Sequence, residues 1–310
     1  MTKVEKFAGM VLIVVVALTF IFWKDITRSG SNAGLAQVKA VKGESKNKKD
    51  KADKKENQKT DPKITIAERW KMPDILREIS GIAHINGDIF ACVQDEEGKI
   101  FVFNMSTKKI ENEIQFGDAG DYEGIALVNE TAWIVRADGR LFEVKNFKQK
   151  PTLQQHTTHL TEKQNIEGLC YDKANNRLLL AIKGKEPNTD DYKGIYAFDL
   201  VTKKLAATPV IKIDLTDKVW AEVKGKNKIQ PSDLEVHPKT GDIFIVDGSN
   251  PKLLVLGQDG KRKELYKLSD SEFRQPEGIS ITENGEIFIS NEGQTGSGDI
   301  LKIVIDEETT

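Results

Sequence analysis

The strongest constraint on the fold of this 310-residue chain is a short recurring motif, an acidic residue followed by glycine and an aliphatic residue. Forms of it begin at Ser80, Glu123, Glu167, Asp233 and Glu277, with spacings of 43, 44, 66 and 44 residues. Serine replaces the acid in the first form, and leucine replaces the glycine in the fourth. Periods in this range are typical of stacked supersecondary units, above all propeller blades. We therefore predict that each motif opens the first strand of a blade.

Each repeat divides into four short apolar runs that we interpret as strands. In the first repeat, hairpin-type turns at Asn86-Gly87 and Glu97-Gly98 separate these runs. The last repeat offers only three strands, whereas an additional strand, Ile64 to Trp70, precedes the first repeat. Pairing this strand with the last blade would close the ring and cover an exposed edge. We predict an all-β fold, a five-bladed β-propeller over residues 63–308; the alternative is a six-bladed ring, with an extra blade in the 66-residue interval.

Residues 7–23 form a long uncharged segment rich in Val, Leu, Ile and Phe. As a helix it would span about 25 Å, close to the ~30 Å hydrocarbon core of a bilayer. No small-residue cleavage site follows promptly, so we favour an uncleaved signal anchor over a cleaved signal peptide. We predict a flank at residues 1–6, a single transmembrane helix at residues 7–23 with the lipid bilayer as its partner, and location in the cell membrane.

Residues 24–62 are predicted to be a disordered, charged linker, because few apolar residues are present and lysines are dense. Acids interleave with the lysines and aromatic residues are scarce, which argues against nucleic acid as a partner. Positive charges lie close to both ends of residues 7–23 and do not discriminate the orientation of the helix. We expect the propeller on the periplasmic or extracytoplasmic side.

The motif acids are expected to converge at one end of the propeller channel, because innermost strands begin at a common rim. Crowded carboxylates repel one another and take up protons unless a cation lies among them. Oxygen ligands without histidine or thiolate favour Ca²⁺. The predicted metal ligands are Glu123, Glu167, Asp233, Glu277 and Asp247. Ser80 interrupts the pattern, so we expect a lopsided site formed by three or four blades.

The second strand of each blade is expected to end at the same rim and to bring further polar side chains to it. We predict ligand contacts from Arg136, Lys183, Asn291, Glu292 and Asp95. The simpler interpretation is that the acids accept backbone hydrogen bonds in turns and that the rim residues are ordinary loop residues. The two cysteines fall on different blades, and the four histidines have neither metal-pair nor triad spacing, so no catalytic residue is assigned.

In order along the chain, the motifs resemble the bacterial SdiA-regulated family. The resemblance rests on Ser-Gly-Ile, Tyr-Glu-Gly-Ile, Ile-Glu-Gly-Leu-Cys-Tyr, Pro-Ser-Asp-Leu-Glu-Val-His-Pro-Lys-Thr-Gly and Gln-Pro-Glu-Gly-Ile-Ser, behind one apolar segment. It covers residues 63–306 and implies a five-bladed propeller distantly related to NHL repeats, a bound calcium ion and no established biochemical activity.

Two classes of function follow from these expectations. The first is a membrane-anchored, extracytoplasmic propeller that binds calcium at the channel mouth and recognises an envelope ligand or protein. The second is a calcium-dependent hydrolase of lactonase or phosphoesterase type, because a channel metal can act as a Lewis acid and activate water. We favour the binding module, since no histidine is evidently placed as a base at the rim.

Overall fold

The computed structural model describes residues 59–223 and 228–306, and their regular structure is almost entirely β-strand. The strands, in chain order, are β1 Ile64–Lys71, β2 Ile79–Asn86, β3 Ile89–Gln94, β4 Lys99–Asn104, β5 Lys109–Gln115, β6 Tyr122–Val128, β7 Thr131–Arg136, β8 Leu141–Lys145, β9 Thr152–His156, β10 Ile166–Asp172, β11 Arg177–Ile182, β12 Tyr192–Asp199, β13 Lys204–Leu205, β14 Ile211–Asp214, β15 Pro231–Val236, β16 Ile243–Asp247, β17 Lys252–Leu256, β18 Arg262–Lys267, β19 Pro276–Ile281, β20 Ile287–Asn291 and β21 Asp299–Ile305. The described helices are short 3-10 turns at Asp74–Leu76, Lys173–Asn175 and Lys218–Glu222.

Within the described residues the strands form five antiparallel sheets, which confirms the five-bladed prediction over the six-bladed alternative. Four sheets have the orders β2-β3-β4-β5, β6-β7-β8-β9, β15-β16-β17-β18 and β19-β20-β21-β1. The third blade has the order β10-β11-β12, and both β13 and β14 pair with the outer side of β12. The long interval in the sequence therefore holds a longer third blade with a divided outer strand.

The first strand of the ring closes the last blade, as predicted. β1 pairs with β21 from Ile64 opposite Ile305 to Lys71 opposite Asp299. Without β1, the outer side of β21 would present unpaired backbone groups to solvent. No helix in the described part of the chain is long and apolar enough to cross a membrane. The predicted anchor at residues 7–23, and residues 24–58 of the predicted linker, lie outside the described residues.

The hydrophobic core lies between neighbouring blades, so the strands near the channel are covered on both faces. Every residue of β16 is buried, and so is every residue of β17. The outer strand β18 is mostly exposed. This burial explains the continuous apolar runs in the sequence, because a strand covered on both faces does not alternate. Complete burial of one such Leu, Ile or Phe side chain contributes roughly 1.5–3 kcal/mol.

Every innermost strand begins with a β-bulge at its motif. The register with the second strand skips one residue in each blade, and the skipped residues are Ser80, Glu123, Glu167, Ser232 and Glu277. The next residue brings neighbouring innermost strands close together. A Cβ added to Gly81 would lie 2.9 Å from the carbonyl oxygen of Glu123, and one added to Gly124 would lie 2.7 Å from that of Glu167. Glycine follows the bulge in four of the five blades, and at Gly81 and Gly124 the backbone of the next blade occupies the space that a side chain would need.

Candidate functional site

In the fourth blade the acid of the motif lies one residue later, relative to the bulge, than in the other blades. Asp233 pairs with Val246 as Gly278 pairs with Ser290, so Asp233 occupies the position of the glycines and Ser232 occupies that of the acids. The prediction that Asp233 is equivalent to the other motif acids is therefore wrong. The sequence contains the signal that corrects it, since Gln-Pro precedes both Ser232 and Glu277.

The structure brings Glu123, Glu167 and Glu277 together around Lys183. The Lys183 ammonium group donates a hydrogen bond to Oε2 of Glu167 at 2.7 Å. Lys183 also attracts Glu123 and Glu277, and the carboxylates in turn raise the pKa of Lys183 against the opposing effect of burial. Of the four motif acids expected to converge, three therefore interact with one rim residue, Lys183.

Burial is the first cause of a raised pKa at each of these three acids. It raises the pKa of Glu123 to about 9, with further contributions from Glu167 and Asp121. It raises the pKa of Glu167 to about 7, although Lys183 opposes the shift. The pKa of Glu277 is also raised, against the opposing effects of Lys183 and of a hydrogen bond from Gln275 at 2.8 Å. Burial therefore disfavours the ionised form of all three carboxyl groups, and Lys183 partly offsets this effect.

A second set of acids continues the negative surface around the mouth. Burial and a hydrogen bond shared with Glu78 raise the pKa of Glu292 to about 7. Burial, Glu78, Glu96 and Asp121 raise the pKa of Asp95 to about 6. The charge of Glu277 also raises the pKa of Glu292, so the two sets of acids interact electrostatically.

Sequence reasoning missed Glu78 and Asp121, although the motif offers a signal for both. Each lies two residues before a bulge, a position that is polar in all five blades; the residues are Glu78, Asp121, Asn165, Gln230 and Gln275. Two of these amides hold a bulge acid in place. Asn165 donates to Oε1 of Glu167 at 2.6 Å, and Gln275 donates to Oε1 of Glu277 at 2.8 Å.

Two buried oxygens at this mouth have no hydrogen-bond donor among the described residues. They are Oδ1 of Asp95 and Oδ1 of Asn291. The amide nitrogen of Asn291 donates to Asp299 at 2.8 Å, which leaves the amide oxygen without a partner. A buried acceptor without a donor is costly, and oxygens of this kind are suitable ligands for a hard cation such as Ca²⁺.

The carboxylates of Asp247 and Asp233 accept hydrogen bonds from donors within the protein. Asp247 accepts hydrogen bonds from the Lys252 ammonium group at 2.6 Å and from the backbone N–H groups of Gln230, Ser249 and Asn250 at 2.8–3.0 Å. Asp233 accepts the N–H groups of two residues on neighbouring innermost strands, Leu169 at 3.1 Å and Ile279 at 2.9 Å. The geometry of both aspartates fits a structural role in joining strands.

Two further predicted rim positions, Ser80 and Arg136, have partners within the protein. Ser80 donates to the carbonyl oxygen of Tyr122 at 2.6 Å and so joins the first two blades. Arg136 forms an ion pair with Asp138 at 2.5 Å. In the part of the chain that the structure describes, no three His, Cys, Asp or Glu side chains form a group arranged to hold a metal ion. The Lys183 ammonium group stands among the three bulge acids and holds one of them in an ion pair.

These features define a five-bladed β-propeller whose channel has one densely acidic mouth. A family model described as SdiA-regulated matches residues 55–295. The chain belongs to the SdiA-regulated family, which confirms the resemblance seen in the motifs.

Solved structures with a similar fold include enzymes. The glutaminyl cyclase of Myxococcus xanthus is 14% identical with a TM-score of 0.55, and the match covers 78% of this chain and 97% of the cyclase. A streptogramin B lyase is 13% identical with a TM-score of 0.44, over 77% of this chain and 98% of the lyase. At 14% identity the likeness to the cyclase shows a shared fold and says nothing of the reaction. A comparison with curated protein sequences found no match.

Proposed function

We propose that this protein is a calcium-binding module of the cell envelope, with one Ca²⁺ bound at the acidic channel mouth. The observation that carries the proposal is the gathering of three buried carboxylates, those of Glu123, Glu167 and Glu277, around one lysine. The unpartnered oxygens of Asp95 and Asn291 offer further ligands of the type that Ca²⁺ prefers. A bound divalent cation would favour the ionised form of these carboxyl groups and so offset the cost of burying them together.

The biological setting of the module rests on the sequence. Residues 7–23 are uncharged and suited to anchoring the chain in the bacterial cell membrane, with the propeller on the extracytoplasmic side. Residues 24–58 would then separate the ring from the lipid bilayer. An envelope ligand or protein would dock beside the ion, where Lys183, Arg136 and Glu292 are partly accessible to solvent.

Calcium titration by isothermal calorimetry tests the proposal on the full-length protein. We expect Glu167→Gln and Glu277→Gln each to weaken Ca²⁺ binding about tenfold or more. Each substitution removes one negatively charged ligand while the size of the side chain stays nearly the same. The matched control is Glu264→Gln, which changes an exposed acid on β18. Unchanged Ca²⁺ affinity in both bulge variants would remove these residues as ligands.

The calcium-dependent hydrolase is the second candidate, and one observation favours it. A carboxyl group whose pKa is about 7, such as Glu167, can accept or release a proton near neutral pH. A screen of lactones and phosphoesters with and without a chelator separates the two candidates. Turnover that disappears with the chelator and in Glu167→Gln would assign the hydrolase, whereas calcium binding without such turnover would support the binding module.

A further inference from the structure

The innermost strands end around a cavity at the opposite mouth of the channel. Its volume is about 750 Å³, and all five innermost strands line it, through His84, Leu127, Tyr171, Glu235 and Ser280. Small-molecule sites commonly measure roughly 300–1,000 Å³. Because the acidic mouth lies where the same strands begin, this cavity is a separate site.

The walls of the cavity combine apolar surface with aromatic rings. The apolar contribution comes from Ala83, Ala126, Val236, Pro238 and Ile281. The rings of His84 and Tyr171 also line the space. Side chains of this kind favour the apolar body of a ligand, and an aromatic face attracts an organic cation.

The carboxyl group of Glu235 lies among these apolar and polar residues, and its side chain is only partly buried. Its Oε1 accepts a hydrogen bond from the backbone N–H of Val236 at 3.0 Å. Burial raises the pKa of Glu235 to about 8, and no positively charged neighbour contributes to lowering it. The imidazole rings of His84 and His237 also line the cavity, and the remaining space has room for a positively charged partner of this carboxyl group.

The ammonium group of Lys173, on the cavity rim, pairs with another residue of the rim. Lys173, in the turn after β10, pairs with Glu283, in the turn after β19, at 3.1 Å, and both side chains are exposed. This ion pair joins the third and fifth blades at the rim of the cavity. It leaves the interior with the carboxyl group of Glu235 and without the ammonium group of Lys173.

We propose that this cavity binds a small organic ammonium compound, whose charged group pairs with Glu235 and whose apolar body packs against Ala83, Ala126 and Ile281. Shape and charge together define this ligand class. The volume accommodates a small molecule, the apolar part of the wall favours an apolar body, and the carboxyl group of Glu235 is complementary to one positive charge. The proposal does not depend on calcium binding at the other mouth.

A pair of probes of similar size tests this proposal on the full-length protein. We expect phenethylammonium to bind at least about tenfold more tightly than neutral 2-phenylethanol at pH 7.5, because only the ammonium can form a charge-assisted hydrogen bond with Glu235. Glu235→Gln should abolish this preference, whereas the exposed control Glu264→Gln should retain it. Thermal unfolding of each variant verifies that the ring is intact.

A second variant tests the location of the site without altering the carboxylate. Ala174 is exposed and lies on the cavity rim, so Ala174→Trp should fold normally and obstruct the entrance. We expect it to weaken both probes about tenfold or more. The proposal is overturned by equal binding of the two probes, by binding of neither at millimolar concentration, by a preference that survives Glu235→Gln, or by unchanged binding to Ala174→Trp.

Discussion

Asp233 shows how a single side chain replaces a glycine at the narrowest part of the ring. At the equivalent position in other blades, the backbone of a neighbour leaves no room for a side chain, as for Gly81 and Gly124. Asp233 is buried, and its carboxylate accepts the N–H groups of Leu169 and Ile279. Those residues lie on the third and fifth blades, so one carboxylate of the fourth blade joins three innermost strands.

Asp233→Asn should lower the free energy of unfolding by about 1–3 kcal/mol, because the new amide nitrogen would face a backbone N–H donor and leave it unsatisfied. Urea denaturation measures the change. Asp270→Asn is the matched control, since Asp270 is exposed. Equal stability of the two variants would show that the hydrogen bonds of Asp233 contribute little.

Among the secondary-structure elements, β1 closes the ring by pairing with β21. It covers the whole edge of β21, contributes the buried Ile64 to the core between the fourth and fifth blades, and continues into backbone contacts at Asp61 with Lys267. The outer edge of the third blade is built differently. Two short strands, β13 and β14, share the outer edge that a single strand covers elsewhere.

Deletion of residues 59–71 should destabilise the ring by about 2 kcal/mol or more from the exposure of Ile64 alone. It should also produce oligomers, because the freed edge of β21 can pair with another copy. Urea denaturation and size-exclusion chromatography measure the two effects. Deletion of residues 40–52 removes the same length of chain from the predicted linker and should leave the stability of the ring unchanged. A stable, monomeric ring without residues 59–71 would contradict this assignment of β1.

At the scale of the whole molecule, the acidic mouth links stability to pH. Glu123 and Glu167 keep their protons in the folded state up to pKa values of about 9 and about 7, whereas both have an ordinary value of 4.5 in the unfolded chain. Between these limits the folded state binds more protons than the unfolded state. Stability contributed by the protonated carboxyl groups is therefore present below pH 4.5 and is lost as pH rises through that window.

In the presence of a chelator, the free energy of unfolding should fall from pH 5 to pH 8, by at most roughly 1.4 kcal/mol per pH unit for each group. Saturating Ca²⁺ should reduce this slope, since a bound cation favours the ionised carboxylates. The double variant Glu123→Gln and Glu167→Gln should have a shallower slope with chelator than the unaltered protein. Urea denaturation across this pH range provides the measurement, and stability that stays constant or rises with pH would refute the assignment.

The sequence alone was sufficient for the number of blades and for the closing strand, because turns and apolar runs are local patterns that repeat with the blades. It also placed Glu123, Glu167 and Glu277 at equivalent strand starts, since the bulge recurs with the motif; their role as metal ligands stays a prediction. The position of Asp233 was misread because a bulge displaces the register by one residue without altering the apolar pattern. The pairing of Lys183 with Glu167 and the cavity around Glu235 depend on contacts between separate strands, which spacing along the chain does not reveal.

The pairing of Ile64 with Ile305 also bears on the order in which the chain is synthesised and folds. A ribosome or an export channel delivers β1 before any blade and β21 after almost all of them, so the closing strand waits while the intervening chain emerges. Each hairpin within a blade can form locally, but the final pairing joins distant parts of the chain and carries a large entropic cost of loop closure. We therefore expect ring closure to come late in folding, and an unpaired β1 to be a site of misassembly until then.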